Sequence, residues 1–449
     1  SSLNESSETT ALEEISPSQE VILSLNSLNE PGHQEGSIFT DTTLSAGAYN
    51  TCAILDNALT TGTASCWGDG WTNILANGGT TSTSTPTQTD DFGPGRTPVS
   101  ISVGYQIGCA LLDDGSVSCW GTNGVGQVGN GLGGSGGSNY ATQLSPTPTN
   151  GFGSSRTAVA VSSGSSHTCA ILDNGQVSCW GYGGGGRLGN GGGSNKNVPT
   201  LTISLGTNRE AVAISSGYSH TCAILDDGDV SCWGNNGYGQ LGDGTTTHRN
   251  SPTLTDSLGT SREAVAISSG FYHTCALLDN GDVSCWGRNQ KGQLGDGTQT
   301  DRTSPTLTDT LGNNQGAVAI SSGQDHTCAI LDNGDVSCWG NAYYGALGNG
   351  ISSDTVYDSP TSTSSLGTTG NPRTAVAINV GWRHSCAILD NGDLSCWGSS
   401  NAATGSSSNP NQVTLGTTAN PLSVALSERD LDNDGTLNVF ESTSPSLVS

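Results

Sequence analysis

The sequence is poor in positive charge and in hydrophobic residues. It has 13 Lys and Arg side chains against 39 Asp and Glu, which gives a formal net charge of −26 at pH 7. Nucleic acid and anionic membrane surfaces repel so acidic a chain, so we expect neither as a partner. Hydrophobic residues make up only 32% of the 449 residues, which favours several small cores over one large core.

Long apolar runs are also missing. No stretch is long enough to be a membrane span or a signal peptide, and the chain begins at Ser1 without a methionine. We therefore expect a processed, mature protein that is secreted or displayed at a cell surface, with no membrane span.

One motif recurs seven times and organises the chain. The copy at residues 263–287 reads EAVAISSGFYHTCALLDNGDVSCWG. Its alternating pattern predicts three strands, the last two joined by a hairpin loop at residues 279–281, and a fourth, edge strand follows at 304–309. Seven such units predict an all-β fold, a seven-bladed β-propeller of four-stranded blades. An open solenoid is the alternative, and it would need capping repeats.

The 14 cysteines fall into seven pairs, one for each predicted hairpin. The hairpin register places Cys275 opposite Cys285, and cross-strand neighbours need little adjustment to form a disulfide. Such regular pairing indicates an oxidising compartment, whereas two thiolates per unit are too few for a zinc site. The predicted disulfides join Cys52 to Cys66, Cys109 to Cys119, Cys169 to Cys179, Cys222 to Cys232, Cys275 to Cys285, Cys328 to Cys338 and Cys386 to Cys396.

The recurring pattern G-x-x-H-T-C-A-[IL]-L-D-[DN]-G-x-V-S-C-W-G, followed by G-x-G-Q-L-G-[DN]-G and S-P-T, resembles the regulator-of-chromosome-condensation repeat. The resemblance implies a propeller and a protein-binding ring, but no single activity. Because the intracellular members do not need the cysteine pairs, the chain resembles a secreted branch of that family. We expect a tail with a spare strand at residues 1–36, the propeller at 37–416, and a strand with a calcium loop at 417–449.

Two apolar segments near the ends, residues 20–28 and 421–427, predict spare strands that ring closure does not need. In one interpretation they clasp each other across the first and last blades. In the other, one of them adds to a sheet edge of a neighbouring molecule and builds a filament.

The C-terminal run DLDNDGTLNVFE at residues 430–441 fits the twelve-residue calcium loop, with carboxylates at positions one, three and five, glycine at six and Glu at twelve. It resembles EF-hand and dockerin-type loops, although Pro445 prevents a full exiting helix. A solvated acidic turn is the alternative. We predict Ca²⁺ as a cofactor, with the ligands Asp430, Asp432, Asp434, Thr436, Asn438 and Glu441.

Five histidines share one repeat position, two residues before the first cysteine of a copy. A ring of imidazoles suggests a metal site, but the first two copies lack the histidine. The resemblance implies a structural residue that bonds backbone near the channel, so we expect packing. These histidines are His167, His220, His273, His326 and His384.

The residues between the glycine and the histidine vary from copy to copy, towards aromatic side chains and arginine. Their loops emerge together at one mouth of the channel, so we predict a recognition surface there; ordinary loop drift is the alternative. The predicted partner-binding residues are Tyr49, Tyr105, Tyr218, Phe271, Tyr272, Trp382 and Arg383. On the opposite face we expect a second set of arginines to pair internally from blade to blade: Arg96, Arg156, Arg209, Arg262 and Arg373.

No Ser, His and Asp set stands out from the repeat background, so we do not expect an enzyme. The sequence favours an extracellular protein-binding or structural propeller that binds a protein partner or associates with itself through its spare strands. A soluble secreted inhibitor or receptor-like binder, or a carbohydrate-binding module, is the alternative.

Overall fold

The computed structural model describes residues 43–57, 60–70, 73–133, 142–153, 155–312, 315–367, 372–399, 406–413 and 419–420. The tail at 1–36, the predicted spare strands and the predicted calcium loop lie outside the described residues.

The described chain forms seven antiparallel sheets in chain order, which confirms the all-β, seven-bladed propeller of four-stranded blades. Blade one contains β1 (Leu44–Ala46), β2 (Asn50–Asn57), β3 (Thr60–Gly68) and β4 (Thr83–Gln88), and blade two contains β5 (Pro98–Val103), β6 (Ile107–Leu112), β7 (Val117–Gly121) and β8 (Gln143–Pro148). Blade three contains β9 (Ala158–Ser163), β10 (His167–Leu172), β11 (Val177–Gly181) and β12 (Lys196–Leu201), and blade four contains β13 (Ala211–Ser216), β14 (His220–Leu225), β15 (Val230–Gly234) and β16 (Arg249–Leu254). Blades five to seven contain β17 (Ala264–Ser269), β18 (His273–Leu278), β19 (Val283–Gly287), β20 (Arg302–Leu307); β21 (Ala317–Ser322), β22 (His326–Leu331), β23 (Val336–Asn341), β24 (Val356–Ser362); and β25 (Ala375–Val380), β26 (His384–Leu389), β27 (Leu394–Gly398), β28 (Ser407–Val413). Short 3₁₀ turns lie at Gly184–Gly186 and Tyr343–Gly345, and a further short strand, β29, lies at Ala419–Asn420.

The central hairpin of each blade forms because a glycine closes its loop. In blade five, Gly281 has φ +82°, a left-handed conformation that glycine adopts without strain. This loop sets the register that places Cys275 opposite Cys285. A disulfide joins the two cysteines of the hairpin in all seven blades, as the sequence predicts, and every cysteine is fully buried.

The first strands of the seven blades line the central channel and bond to one another all the way round. In six junctions a Ser side chain on one inner strand accepts a hydrogen bond from a backbone N–H of the next, at 2.8–2.9 Å. At the seventh junction, Asn379 of blade seven accepts the N–H of Ala46 in blade one at 2.8 Å. The ring is therefore closed by hydrogen bonds as well as by packing.

A tryptophan from each blade locks that blade to its neighbour. The seven tryptophans that follow the second cysteines are fully buried. In blade five, Trp286 Nε1 donates to the carbonyl oxygen of Gln240 in blade four at 3.0 Å. The loop with the pattern G-x-G-Q-L-G packs on this ring, because Gly242 approaches the indole more closely than a residue with a β-carbon could. These tryptophans are core residues.

The arginines on the opposite face pair differently from the prediction. Each one forms an ion pair with an Asp in the hairpin loop of the blade that it enters, as Arg156 does with Asp173 at 3.2 Å. The other pairs are Arg96 with Asp113 and Asp114, Arg209 with Asp227 and Asp229, Arg262 with Asp279, and Arg373 with Asp390. The expected blade-to-blade pairing is wrong, because the hairpin loop lies nearer to each connector than the neighbouring blade does.

The chain returns to the first blade after the seventh. β29 pairs antiparallel with β2, with Asn420 opposite Asp56 and Ala419 opposite Asn57. A segment C-terminal to blade seven thus adds to the sheet of blade one within the same molecule.

Candidate functional site

A ring of seven glycines forms one mouth of the channel. Each glycine follows an inner strand, and a β-carbon on it would lie within 2.5 Å of the carbonyl oxygen of the next glycine in the ring. Neighbouring blades therefore touch backbone to backbone at this level. In order, the ring consists of Gly47, Gly104, Gly164, Gly217, Gly270, Gly323 and Gly381.

We expect Gly217→Ala to destabilise the propeller by about 1–3 kcal/mol, the usual effect of overpacking a rigid site. The new β-carbon would lie 2.5 Å from the carbonyl oxygen of Gly270 and 2.5 Å from Cε1 of His220. Urea unfolding followed by tryptophan fluorescence measures the change. Gly237→Ala is the matched control, since its β-carbon would meet only Asn235 Oδ1, at 3.5 Å. Equal midpoints for the two variants would contradict the close ring.

An aromatic residue follows the ring glycine in four blades. Its backbone N–H donates to the carbonyl oxygen of the ring glycine in the next blade, and its side chain extends over the mouth. The N–H of Tyr218 donates to the Gly270 carbonyl at 3.2 Å, and the N–H of Trp382 donates to the Gly47 carbonyl at 3.3 Å. Tyr105 and Phe271 repeat the arrangement. The loops that carry the predicted recognition residues are thus anchored by main-chain bonds between blades.

Six aromatic residues from five blades meet at this mouth, and we call them the mouth cluster. Trp382 of blade seven stacks on Tyr105 of blade two with ring centroids 4.5 Å apart, and lies 5.0 Å from Phe271 of blade five. Phe271 stacks in turn on Tyr218 of blade four at 3.7 Å. Because rings from opposite sides of the propeller touch, the cluster covers the channel. Its members are Tyr49, Tyr105, Tyr218, Phe271, Tyr272 and Trp382.

All six members of the mouth cluster are half-buried, so each keeps an open face. Burial and the neighbouring Tyr49 and Tyr218 raise the pKa of Tyr105 above its ordinary value. Tyr105 is therefore a neutral hydroxyl donor at physiological pH. Aromatic side chains with a polar tip are well suited to bury against a partner, because they present large area and lose little side-chain entropy.

Arg383, the remaining predicted recognition residue, lies beside the cluster. Its guanidinium stacks over the ring of Tyr344 at 5.0 Å, and Nη1 donates to the Tyr344 hydroxyl at 3.3 Å. Tyr272, a member of the cluster, lies beside Arg288, whose guanidinium is 5.9 Å from its ring. The structure thus places all seven predicted residues on one face.

Sequence reasoning missed Arg187, which also belongs to this face. It is 9% exposed, its Nη1 donates to the carbonyl oxygen of Tyr218 at 3.1 Å, and it stacks over Tyr182 at 4.7 Å. It stands where Gln240 and Gln293 stand in other copies. Alignment of the second half of the repeat would have shown this change from a neutral to a charged residue.

The five repeat histidines lie between blades, and each of them bonds a hydroxyl group of the next blade. In blade five, His273 Nε2 bonds the hydroxyl of Thr327 in blade six at 2.9 Å, and that hydroxyl donates to the carbonyl oxygen of Gln293 at 3.0 Å. The hydroxyl oxygen is then the acceptor, so the imidazole is neutral with its proton on Nε2. The histidines pack as expected, but they bond hydroxyl groups instead of backbone.

No group of three or more His, Cys, Asp or Glu side chains with the spacing of a metal site occurs in the described part of the chain. No helix in that part is long and apolar enough to cross a membrane. The predicted calcium ligands at residues 430–441 are outside it.

The fold and the mouth define a class of protein: a seven-bladed β-propeller that carries variable loops on one face of a regular scaffold. Residues 63–429 match the family model of the RCC1-like domain. The chain belongs to the RCC1-like domain family.

Two curated relatives illustrate the family. The chain is 33% identical over 307 residues to the ultraviolet-B receptor UVR8 of Arabidopsis thaliana, which covers 68% of this chain and 66% of UVR8. It is 31% identical over 286 residues to the human E3 ubiquitin-protein ligase HERC2, which covers 63% of this chain and 6% of HERC2. The chain thus spans just under two thirds of the first relative and a small part of the second.

Solved structures share the fold. Yeast RCC1 (Prp20), solved in complex with Kap60, superposes with a TM-score of 0.69 at 20% identity, covering 92% of this chain and 90% of that chain. Human WBSCR16 superposes with a TM-score of 0.66 at 19% identity, covering 78% of this chain and 92% of that chain.

Proposed function

We propose that this protein is a non-enzymatic, extracellular binding propeller that docks a protein partner on the mouth cluster. One observation carries the proposal: the variable positions of a near-perfect repeat converge on one face and place six half-buried aromatic rings in contact. Clustered aromatic residues are the side chains that dominate the energy of protein interfaces.

The location outside the cell rests on the cysteines. Fourteen cysteines form seven hairpin disulfides, and no free cysteine remains among the described residues. Disulfides at this density persist in oxidising compartments and are rare in the cytosol. The similarity to a receptor, the ultraviolet-B receptor UVR8, supports the binding role.

Site-directed photo-crosslinking tests the binding face. Benzoylphenylalanine replaces Tyr49, at the edge of the mouth cluster, or Val159, at the opposite end of inner strand β9 and 39% exposed. Each protein is irradiated in the extracellular medium of its source organism. We expect a discrete protein adduct from position 49 and none from position 159.

Competition makes the test specific. Excess unmodified protein and a Val159→Ala control are expected to suppress the adduct at position 49, whereas Trp382→Ala is expected to compete at least tenfold less well, as for an interface hot spot. An adduct with a second copy of this chain would indicate self-association through the cluster. Equal competition by Trp382→Ala and Val159→Ala would contradict the proposal.

We further propose that residues 430–441 bind one calcium ion. Three carboxylates at alternate positions followed by glycine and a Glu at position twelve supply hard oxygen ligands. Titration calorimetry of the full chain should show one site, of micromolar to millimolar affinity, that Asp432→Ala weakens at least tenfold. Asp358→Ala, a change of the same charge in outer strand β24, is the control. Equal binding heats for the Asp432 variant and the parent would exclude the site.

A further inference from the structure

Arginines on the two faces of the propeller differ in their partners. Nearly all described arginines lie within 4 Å of a carboxylate, as expected in a chain with 39 acidic residues. Those with a carboxylate partner are Arg96, Arg156, Arg209, Arg249, Arg262, Arg288, Arg302 and Arg373. Among the described residues, Arg187 and Arg383 have no such partner, and both lie beside the mouth cluster.

Arg187 is a buried cation without a counter-charge. Its Nε donates to the Gly184 carbonyl at 3.0 Å, and Nη1 donates to the Tyr218 carbonyl and to Ser165 Oγ at 3.1 and 3.4 Å. These partners are neutral, and within the described residues Nη2 has none. A buried charge without an opposite charge lowers the free energy of unfolding, so we expect Arg187 to have a role other than stabilising the fold. Gln127 and Gln240 fill the same repeat position with a neutral side chain.

Arg383, on the other side of the cluster, also lacks a carboxylate within 4 Å, but its charge acts on Asp325, the carboxylate that pairs with Arg288. It follows Trp382, is half-buried, and its charge faces the Tyr344 ring and hydroxyl. The rings of Trp382 and Tyr218 are 6.1 Å apart, and Arg187 bonds the carbonyl oxygen of Tyr218. The two unpaired guanidinium groups therefore flank one aromatic surface.

We propose that the mouth cluster docks a peptide segment that places a carboxylate beside an aromatic ring, with Arg187 receiving the carboxylate and Arg383 adding positive charge to the same face. The proposal rests on the proposed function and names the chemistry of its partner. Guanidinium groups held by stacking bind carboxylates in a fixed geometry, and the cluster supplies the apolar contact. Charge complementarity selects an acidic segment, although the molecule as a whole is acidic.

A pair of small probes tests the charge requirement. N-acetylphenylalanine carries the ring and the carboxylate, and N-acetylphenylalanine amide has the same shape without the charge. Saturation-transfer NMR on the full chain measures both dissociation constants. We expect the acid to bind at least about tenfold more tightly than the amide, the usual gain from charge-assisted hydrogen bonds.

Three variants locate the effect. Arg187→Gln installs the residue that other copies carry at this position, so it is expected to fold, and it should remove most of the preference for the acid; Arg383→Gln should reduce it. Arg156→Gln removes the same charge from the opposite face and should leave the preference unchanged. Equal loss in Arg156→Gln would mean that overall charge alone acts, which overturns the proposal.

The outcomes separate this proposal from the proposed function. Equal binding of acid and amide would overturn the carboxylate site and leave the aromatic docking surface intact, and binding of neither probe would also overturn the carboxylate site. Light scattering with and without N-acetylphenylalanine tests whether a second copy of this chain occupies the mouth cluster in place of a foreign peptide. A dimer that the acid dissociates would assign the surface to a second copy of this chain and overturn the assignment to a foreign peptide.

Discussion

Reduction of the seven disulfides is expected to abolish folding. Each hairpin disulfide contributes about 3 kcal/mol by restricting the unfolded chain, since the paired cysteines are 10 positions apart in six blades and 14 in the first. Together they contribute about 20 kcal/mol, which exceeds the 5–15 kcal/mol stability of a typical domain. The reduced chain should therefore stay unfolded in buffer.

The buried cysteines decide how this experiment is done. All of them are fully enclosed, so the protein is reduced in denaturant, alkylated and then diluted into buffer. The seven buried tryptophans report refolding by a blue shift of their fluorescence. Unreduced protein taken through the same steps is the control, and Cys275→Ala/Cys285→Ala should refold with a loss of only about 3 kcal/mol. Recovery of the blue shift by the alkylated chain would contradict this prediction.

Acid is expected to unfold the propeller well above the pH at which its carboxylates titrate. Burial lowers the pKa of His220, His273 and His326 to about 3 and that of His384 to about 4, and it holds the pKa of His167 well below the ordinary value. In the unfolded chain these groups bind protons near pH 6.5.

Because the pKa values of these histidines are lower in the folded protein than in the unfolded chain, acid lowers the free energy of unfolding. Well above pH 6.5 the imidazoles are neutral in both the folded and the unfolded state, so they do not lower the free energy of unfolding. As the pH falls from 6.5 towards 4, only the unfolded chain gains protons, so each histidine lowers the free energy of unfolding by about 1.4 kcal/mol per pH unit. Five histidines together lower it by about 7 kcal/mol per unit. Burial raises the pKa of Asp325, so this one carboxyl group has the opposite effect and adds to the free energy of unfolding as the pH falls.

Urea midpoints at pH 7.5, 6 and 5 measure the effect, with a loss of about 10 kcal/mol expected by pH 5. His273→Asn, the residue that blade one carries as Asn50, should reduce the pH dependence by about one fifth after correction for its own destabilisation. A stability at pH 5 within about 2 kcal/mol of that at pH 7.5 would contradict the account.

The sequence predicts the blades and the disulfides well for a physical reason. Seven copies repeat the same strand pattern around the same hairpin loop, so the register that places Cys275 opposite Cys285 applies to every blade. The grouping of the seven predicted residues on one face was also predictable, because they occupy the positions where an otherwise regular repeat varies.

Some contacts between blades could not be predicted, because each depends on a single residue that departs from the repeat and whose partner lies in another blade. Asn379 closes the ring where other blades use Ser, and its longer side chain is explained only by its contact with Ala46. Ile74 accepts the indole N–H of Trp120, as Gln240 does for Trp286, although blade one lacks the glycine pattern of that loop. The charge of Arg187 is visible in an alignment of the repeats, but its burial is not, since that burial depends on the neighbouring blade.

Seven oxidised hairpins support both the closed ring and the proposed location outside the cell. Protein from its natural source, denatured, alkylated without reductant and measured by intact mass, tests them most directly. We expect no alkyl adduct, and 14 adducts after reduction, because the chain has 14 cysteines. Fourteen adducts before reduction would show seven open pairs and contradict the account.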